Sequence, residues 1–162
     1  VRELVKELDP EIRPVGVFVN APMELVRTLL DDGTLALAQL HGQEDESYIR
    51  ELKTYTDKLI IKAFSIKTAE DIEKALQSPA DYILLDQGGG GTGKTFDWSL
   101  IPEIQRPFFL AGGIGASNLG QAIREIHPYA VDLSSSVETE KRKDPMKIRQ
   151  VVDIVREIKI IN

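Results

Sequence analysis

Short apolar segments alternate with segments of helical periodicity along this chain, and that alternation limits the possible fold more than any other feature. The six apolar segments are residues 15–19, 35–40, 59–64, 82–85, 108–111 and 130–133. The segments predicted to be helical are residues 23–30, 46–52, 68–76, 118–126 and 145–158, with a weaker one at 98–104. Parallel strands need a crossover between them, so repeated βα alternation predicts a parallel α/β sheet covered by helices.

The chain begins within a further helical pattern. Val1, Leu4, Val5 and Leu8 follow the i, i+3, i+4, i+7 spacing of one helix face, without a capping residue before them. In a βα repeat, a helix that leads into the strand at 15–19 follows an earlier strand. We therefore expect at least one βα unit to precede these residues.

Composition and charge exclude several classes of protein. The 162 residues are 42% hydrophobic and 28% charged, which is typical of a soluble globular chain with one core, so we expect a single domain at 1–162. No apolar run approaches the about 20 residues of a membrane span, and the first residues resemble neither a signal nor a transit peptide. We expect a cytoplasmic protein without a membrane partner.

Side-chain types narrow the chemistry further. The net charge is −6, and the basic cluster Lys141-Arg142-Lys143 is typical of a solvated turn, which argues against nucleic acid as a partner. The chain has no Cys and two separated His, His41 and His127. These counts exclude a zinc site and thiol chemistry within these residues.

A carboxylate at a strand end is the strongest candidate for a catalytic group. The apolar strand at 82–85 ends on Asp86, and a glycine-rich segment follows at 88–93. Barrel enzymes present catalytic residues at the carboxyl ends of their strands, beneath loops that close over them. The alternative is that Asp86 only caps the turn after the strand.

The glycine-rich segment has two other interpretations. Residues 88–95 fit the phosphate-loop pattern G-x-x-x-x-G-K-[ST], which would make this a nucleotide-binding module. A phosphate loop needs a long helix starting at its Lys, whereas Pro102 limits any helix here, and the strand at Val131-Asp132 is short for a magnesium site. A flexible linker is the other alternative, although Trp98 is an unusual neighbour for one.

Seven short motifs follow one another along this chain. They are PVGVFVN at 14–20, QLHG at 39–42, IKA at 61–63, LLD at 84–86, GGTGKTFDW at 90–98, LAGGI at 110–114 and VDLSS at 131–135. In these motifs and their order, the chain resembles the phosphoribosylanthranilate isomerase family from its third strand to its end. The resemblance implies a (β/α)8 TIM barrel, present here as an incomplete barrel of about strands 3 to 8. It also implies an Amadori rearrangement of N-(5-phosphoribosyl)anthranilate in tryptophan biosynthesis, with no cofactor and no metal.

The resemblance assigns one half of a catalytic pair to this chain. Asp86 matches the general acid that protonates the ring oxygen, and we expect burial to raise its pKa. The family's general base is a Cys after the first strand, and the Arg that binds the anthranilate carboxylate follows the second; neither position lies within these residues. Either the polypeptide extends upstream, or a complementing N-terminal fragment supplies the rest, or the chain is an inactive barrel fragment. On its own, we expect the chain to self-associate or to fold only partly.

The resemblance also indicates where the substrate binds. Phosphate in such barrels lies at the loops after strands seven and eight. Those places are taken by Gly112 and Gly113, and by Ser134, Ser135 and Ser136, although many relatives have Gly where this chain has Ser136. The alternative is that the glycines form only a turn and the serines only a cap.

Three further side chains have structural and functional interpretations. His41 follows a strand as part of Gln39-Leu40-His41-Gly42, so it either contacts the substrate or has only a structural role. His127 precedes Pro128 and is expected to cap a helix without a further role. Lys62 lies within a strand and needs a carboxylate partner if buried, for which Asp86 is a candidate; a Schiff-base role is less favoured.

Overall fold

The computed structural model describes residues 1–87 and 97–161. Six strands are hydrogen-bonded in sequence order: β1 (Val15–Phe18), β2 (Leu37–Leu40), β3 (Leu59–Ser65), β4 (Tyr82–Asp86), β5 (Phe108–Leu110) and β6 (Ala130–Val131). The helices are α1 (Arg2–Lys6), α2 (Met23–Asp31), α3 (Glu46–Tyr55), α4 (Ala69–Leu76), α5 (Leu119–Ile126) and α6 (Pro145–Ile161). All six predicted strands and all five predicted helices between and after them are confirmed. The phosphate-loop-like segment at 88–95 lies outside the described residues.

Three elements differ from the sequence-based expectations. Helix α1 is present, but it buries none of its residues, and Val1 and Leu4 are exposed. The weak helical segment at 98–104 contains a single 3-10 turn, Trp98–Leu100. A two-stranded hairpin of β7 (Glu138–Thr139) and β8 (Arg142–Lys143) was not predicted. The Lys141-Arg142-Lys143 cluster is exposed, as expected of a solvated turn.

The chain divides into two compact units, of which the first comprises residues 1–63 and 76–83. Strand β2 pairs in parallel with β1, Val17 opposite Gln39, and with β3, Leu40 opposite Lys62. Alternate strand residues pack against the apolar faces of α2 and α3. The members of this core are Phe18, Val26, Leu30, Leu35, Ala38, Leu40, Ile49, Leu52, Ile60 and Ala80.

The opposite face of β1 is apolar but not buried. Val15, Val17 and Val19 are 41%, 61% and 65% exposed, whereas Phe18 between them is 8% exposed. Side chains alternate between the two faces of a strand, so the three valines share one face. Strand β1 is also the first in the order of the sheet.

The second unit comprises residues 64–75 and 84–162. Strands β5 and β6 pair in parallel, with Leu110 opposite Val131. The amide of Ala111 donates to the carbonyl of Leu85 at 2.9 Å, and α5 buries Leu119 and Ala122. Within the described parts of the chain, the helices all fall short of the length and apolarity that a membrane crossing requires.

Candidate functional site

Asp86 is the last residue of β4 and is half-buried. Its carbonyl accepts a hydrogen bond from the amide of Ile66 at 2.7 Å, which holds the strand end in place. A Cβ atom added to Gly112 would lie 2.6 Å from Oδ1 of Asp86 and 2.7 Å from the amide nitrogen of Gln87. The Asp86 carboxylate therefore lies directly against the backbone of the loop that follows β5.

That loop has a conformation that favours glycine. Gly112 and Gly113 have φ values of +81° and +66°, in the left-handed region that other residues rarely adopt. Oδ1 of Asn118 accepts from the amide of Gly115 at 2.9 Å, and its Nδ2 donates to the carbonyl of Gly113 at 3.1 Å. Asn118 precedes α5, and its side chain binds the loop backbone at both Gly113 and Gly115. The loop shape is thus set by two glycines and one amide side chain.

The serine loop after β6 meets the glycine loop. A Cβ atom added to Gly115 would lie 3.0 Å from the Cβ of Ser136. Ser134, Ser135 and Ser136 are all exposed, and a 3-10 turn follows at Ser135–Val137. The loops after β5 and β6, which contain the predicted phosphate-binding residues, therefore contact each other within the second unit at Gly115 and Ser136.

A cation anchors the serine loop to the β7–β8 hairpin. Nζ of Lys143 donates to the carbonyl of Ser134 at 3.0 Å and lies 2.7 Å from Oε1 of Glu138. The hairpin turn places Glu140 and Lys141 at positive φ values of +51° and +62°. The hairpin therefore fixes the loop and brings a positive charge to its first serine. Neither the hairpin nor this contact could be read from the polar sequence, which has no strand periodicity.

His41 lies in the first unit, directly after β2. Its amide donates to the carbonyl of Phe18 at 2.7 Å, so its backbone continues the pairing of β2 with β1. Nδ1 of the ring is 3.0 Å from Nε2 of Gln39, two residues earlier on the same strand face. An amide nitrogen only donates, so this contact is a hydrogen bond when Nδ1 carries no proton. His41 as a whole is half-buried.

Lys62 is buried, and the carboxylate against it is Glu44. Its Nζ is 3.2 Å from Oε2 of Glu44, and the side chains are 7% and 2% exposed. The prediction that Lys62 forms an ion pair is confirmed, and the partner shown is Glu44 in the loop after β2. Sequence reasoning missed Glu44, although its position three residues after His41 and the pairing of β2 with β3 bring it beside Lys62.

Glu44 is ionised despite its burial. Burial alone would raise the pKa of its carboxyl. The hydrogen bonds from the amides of Glu44, Asn20 and Gly42 and from Lys62 have the larger combined effect and lower the pKa below the ordinary 4.5. The amide of Asn20 donates at 2.6 Å and that of Gly42 at 2.8 Å. The carboxylate is thus satisfied by backbone donors as well as by the ammonium group.

Two other expectations concern His127 and metals. His127 is the C-cap of α5 with φ +51°, and its amide donates to the carbonyl of Ile123, as predicted for a capping residue. Among residues 1–87 and 97–161, no group of three or more His, Cys, Asp or Glu side chains is arranged to hold a metal ion.

Known proteins are similar to this chain in both sequence and fold. The family model of N-(5'phosphoribosyl)anthranilate (PRA) isomerase matches residues 1–154. The N-(5'-phosphoribosyl)anthranilate isomerase of Endomicrobium trichonymphae is 44% identical over 155 residues, which are 93% of this chain and 76% of that protein. The phosphoribosyl anthranilate isomerase structure from Thermotoga maritima superposes with a TM-score of 0.83 at 36% identity and covers 96% of this chain and 78% of that one.

A further solved structure was determined with a bound ligand. It is a phosphoribosyl anthranilate isomerase in complex with reduced 1-(o-carboxyphenylamino)-1-deoxyribulose 5-phosphate, 34% identical with a TM-score of 0.81, and the match covers 96% of this chain and 77% of that one. These likenesses confirm an α/β fold of the TIM-barrel type and the resemblance drawn from the seven motifs. The chain belongs to the N-(5'-phosphoribosyl)anthranilate isomerase family.

Proposed function

We propose that this chain carries the general-acid and phosphate-binding part of an N-(5'-phosphoribosyl)anthranilate isomerase site, with Asp86 as the general acid. The chain is an isomerase of tryptophan biosynthesis by family, so the proposal concerns which residues act. The observation that carries it is the half-buried Asp86 carboxylate at the end of β4, packed against Gly112. An acid in that position can reach a substrate whose phosphate is held by the same glycine loop.

The reaction needs one proton donor and one proton acceptor. Asp86 protonates the ring oxygen of the ribose as the bond from that oxygen to C1 breaks, and the anthranilate nitrogen forms an iminium with C1. A general base then removes the proton from C2, and the electron pair of that C–H bond neutralises the iminium. The resulting enol rearranges to the open-chain 1-(o-carboxyphenylamino)-1-deoxyribulose 5-phosphate. We expect partial burial to raise the pKa of Asp86, as general acids near neutral pH require.

The phosphate end of the substrate is assigned to the joined glycine and serine loops. Gly112 and Gly113 allow close approach of the backbone, and Ser134, Ser135 and Ser136 offer exposed hydroxyl donors. Lys143 adds a positive charge beside Ser134. We assign His41, with its ring proton at Nε2, to a hydrogen bond with another part of the substrate.

The general base is assigned to a segment outside these 162 residues. We propose that the six strands are about strands 3 to 8 of the (β/α)8 barrel, because the chain covers 72% to 79% of the relatives compared and β1 has exposed valines on one face. That segment is either part of the same polypeptide or a complementing piece, and self-association through β1 is the alternative when it is absent. A polypeptide that includes it is called the complete enzyme below.

Residues 1–162 are proposed to form part of one cytoplasmic domain. The two compact units divide within β3 and within β4, so each of these strands contributes to both units. Domain boundaries ordinarily fall in exposed linkers and not inside strands. The small phosphorylated substrate is the proposed partner, and the proposal includes neither a cofactor nor nucleic acid.

The substitution Asp86→Asn in the complete enzyme tests the assignment of the acid. The amide keeps the shape of the side chain but cannot give up a proton, so kcat should fall by at least ~10²-fold with little change in KM. Steady-state fluorescence of the anthranilate group measures both constants. Turnover close to that of the unsubstituted enzyme would remove Asp86 from the mechanism.

A further inference from the structure

A buried cation holds the backbone on both sides of His41. Nζ of Lys62 donates to the carbonyl of Leu40 at 3.3 Å and to the carbonyl of Gly42 at 2.7 Å. These two carbonyls belong to the residues immediately before and after His41. Lys62 therefore fixes the direction of the chain at the point where β2 ends and the His41 side chain emerges.

Glu44 binds both Lys62 and the backbone amides around it. Its Oε2 accepts from the amide of Gly42 and faces Nζ of Lys62, so carbonyl and amide of Gly42 are both bound within the network. Its Oε1 accepts from the amide of Asn20, whose Oδ1 accepts in turn from the amide of Gln43 at 2.6 Å. The network ties the loop after β2 to the loop after β1.

There is no space for a side chain at Gly42. A Cβ atom there would lie 2.5 Å from Oδ1 and 2.6 Å from the amide nitrogen of Asn20. Asn20 itself has φ +52°, in the left-handed region. A strained residue and a glycine pressed against it persist only where the surrounding contacts determine them. The contacts that determine them here are those of Glu44 and Lys62.

We propose that Lys62, paired with Glu44, is a positioning residue that sets the orientation of His41 toward the substrate. Lys62 holds the backbone on either side of His41, while Gln39 holds the imidazole through Nδ1. Backbone and ring are thus fixed by separate groups on β3 and β2. The inference rests on the proposed substrate contact of His41, and it adds residues that the mechanism does not otherwise use.

Nuclear magnetic resonance of the 162-residue chain tests the positioning directly. The ring signals of His41 report its environment and tautomer, and those of His127, the only other His, serve as an internal reference. Lys62→Met should shift the His41 ring signals. It should also raise the hydrogen-exchange rate of the Gly42 amide by at least ~10-fold, because the ammonium group that binds the Gly42 carbonyl and holds Glu44, the acceptor of that amide, is lost. The His127 signals should stay in place.

The matched control is Lys53→Met. Lys53 pairs with Asp81, which also accepts from the amide of Ile60 at the start of β3, so the substitution breaks an ion pair of the same unit away from His41. It should leave the His41 signals unchanged. His41 signals that stay at their original positions in Lys62→Met, or that shift equally in Lys53→Met, would overturn the inference. If Lys62→Met does not fold, Lys62→Gln is measured in its place, with the same expected shift and the same contrary result.

Kinetics of the complete enzyme separate this inference from the function on which it rests. Lys62→Met and His41→Ala should each raise KM by about 10-fold, and the double variant should be no worse than His41→Ala alone, because both changes remove one interaction. Shifted His41 signals with an unchanged KM in both variants would support the positioning and refute the substrate contact. Additive losses in the double variant would overturn the positioning role.

Discussion

At the scale of single residues, close packing around Asp86 explains why the loop after β5 contains glycine. Gly112 has both a positive φ and an Asp86 carboxylate at the place where a side chain would begin. Gly33 has a similar φ of +74°, but no atom lies within 4 Å of the position of its Cβ. A substitution at Gly33 therefore causes backbone strain alone, whereas one at Gly112 causes the same strain and also displaces the candidate acid.

Gly112→Ala should lower both stability and activity, whereas Gly33→Ala should lower stability alone. Either substitution puts an L-residue in the left-handed region, which costs about 1–2 kcal/mol. At Gly112 the new methyl group must also push the Asp86 carboxylate aside, and a displacement of about 1 Å at a catalytic group can cost about 10²-fold in rate. Urea unfolding and kcat of the complete enzyme measure the two effects. Equal kcat values for both variants would argue against a catalytic Asp86.

At the residue scale, the sequence predicted the ion pair of Lys62 and the capping position of His127. The need of a buried Lys62 for a carboxylate was predictable, because an unpaired ammonium is too costly to bury. The identity of Glu44 was not, because it depends on the path of the loop after β2 and on the register of β2 with β3. The roles of Asn118 and Lys143 likewise depend on loop geometry that has no periodic pattern.

At the scale of elements, the helices and strands of the βα repeat were predictable because burial imposes a period on them. Residues 23–30 predicted α2, which spans Met23–Asp31, and residues 82–85 predicted β4, which spans Tyr82–Asp86. The β7–β8 hairpin has two-residue strands with exposed, charged side chains, so no apolar period marks it. Helix α1 lies where its spacing predicted it, yet none of its residues is fully buried, and Leu4 is exposed.

An ionised carboxylate links α1 to the end of α2. Thr34 donates to Asp32 through its amide, and Arg2 donates from its guanidinium at 2.6 Å. The hydrogen bonds from Thr34, followed by that from Arg2, lower the pKa of Asp32 from 3.8 to about 2. A carboxyl with a depressed pKa stabilises the fold above its unfolded pKa, and that stabilisation is lost as the pH falls through the folded value.

The variant Asp32→Asn should therefore lose less stability than the original chain when the pH falls from about 4 to about 2. The amide does not titrate, so this contribution to the acid dependence disappears, and the variant should already be less stable at neutral pH. Thermal unfolding at several pH values measures the effect. Asp31→Asn removes the same charge one residue earlier but keeps the hydrogen bonds of Asp32, so its pH dependence should follow that of the original chain. Parallel pH curves for all three proteins would contradict this account of Asp32.

At the scale of the whole molecule, the exposed valines of β1 are the feature on which the proposed complete barrel depends. Val15 and Val17 share one face of β1, Val19 follows the strand, and all three are exposed. Burying apolar area of this kind stabilises a fold by about 25 cal/mol per Å². The overall α/β architecture was predictable from the βα repeat, whereas the exposure of these valines was not, because an apolar strand is ordinarily buried in such a sheet.

Turnover of N-(5'-phosphoribosyl)anthranilate, followed by anthranilate fluorescence, tests the central claim most directly. The chain is assayed alone and with a separate segment that supplies the family's first two strands and their Cys. We expect no turnover by the chain alone, since the proposed general base lies in the separate segment. Mixing the two should give turnover, which Asp86→Asn should lower by at least ~10²-fold. Turnover by the 162 residues unaided, or restored turnover that is unaffected by Asp86→Asn, would contradict the claim that this chain supplies the acid half of the isomerase site.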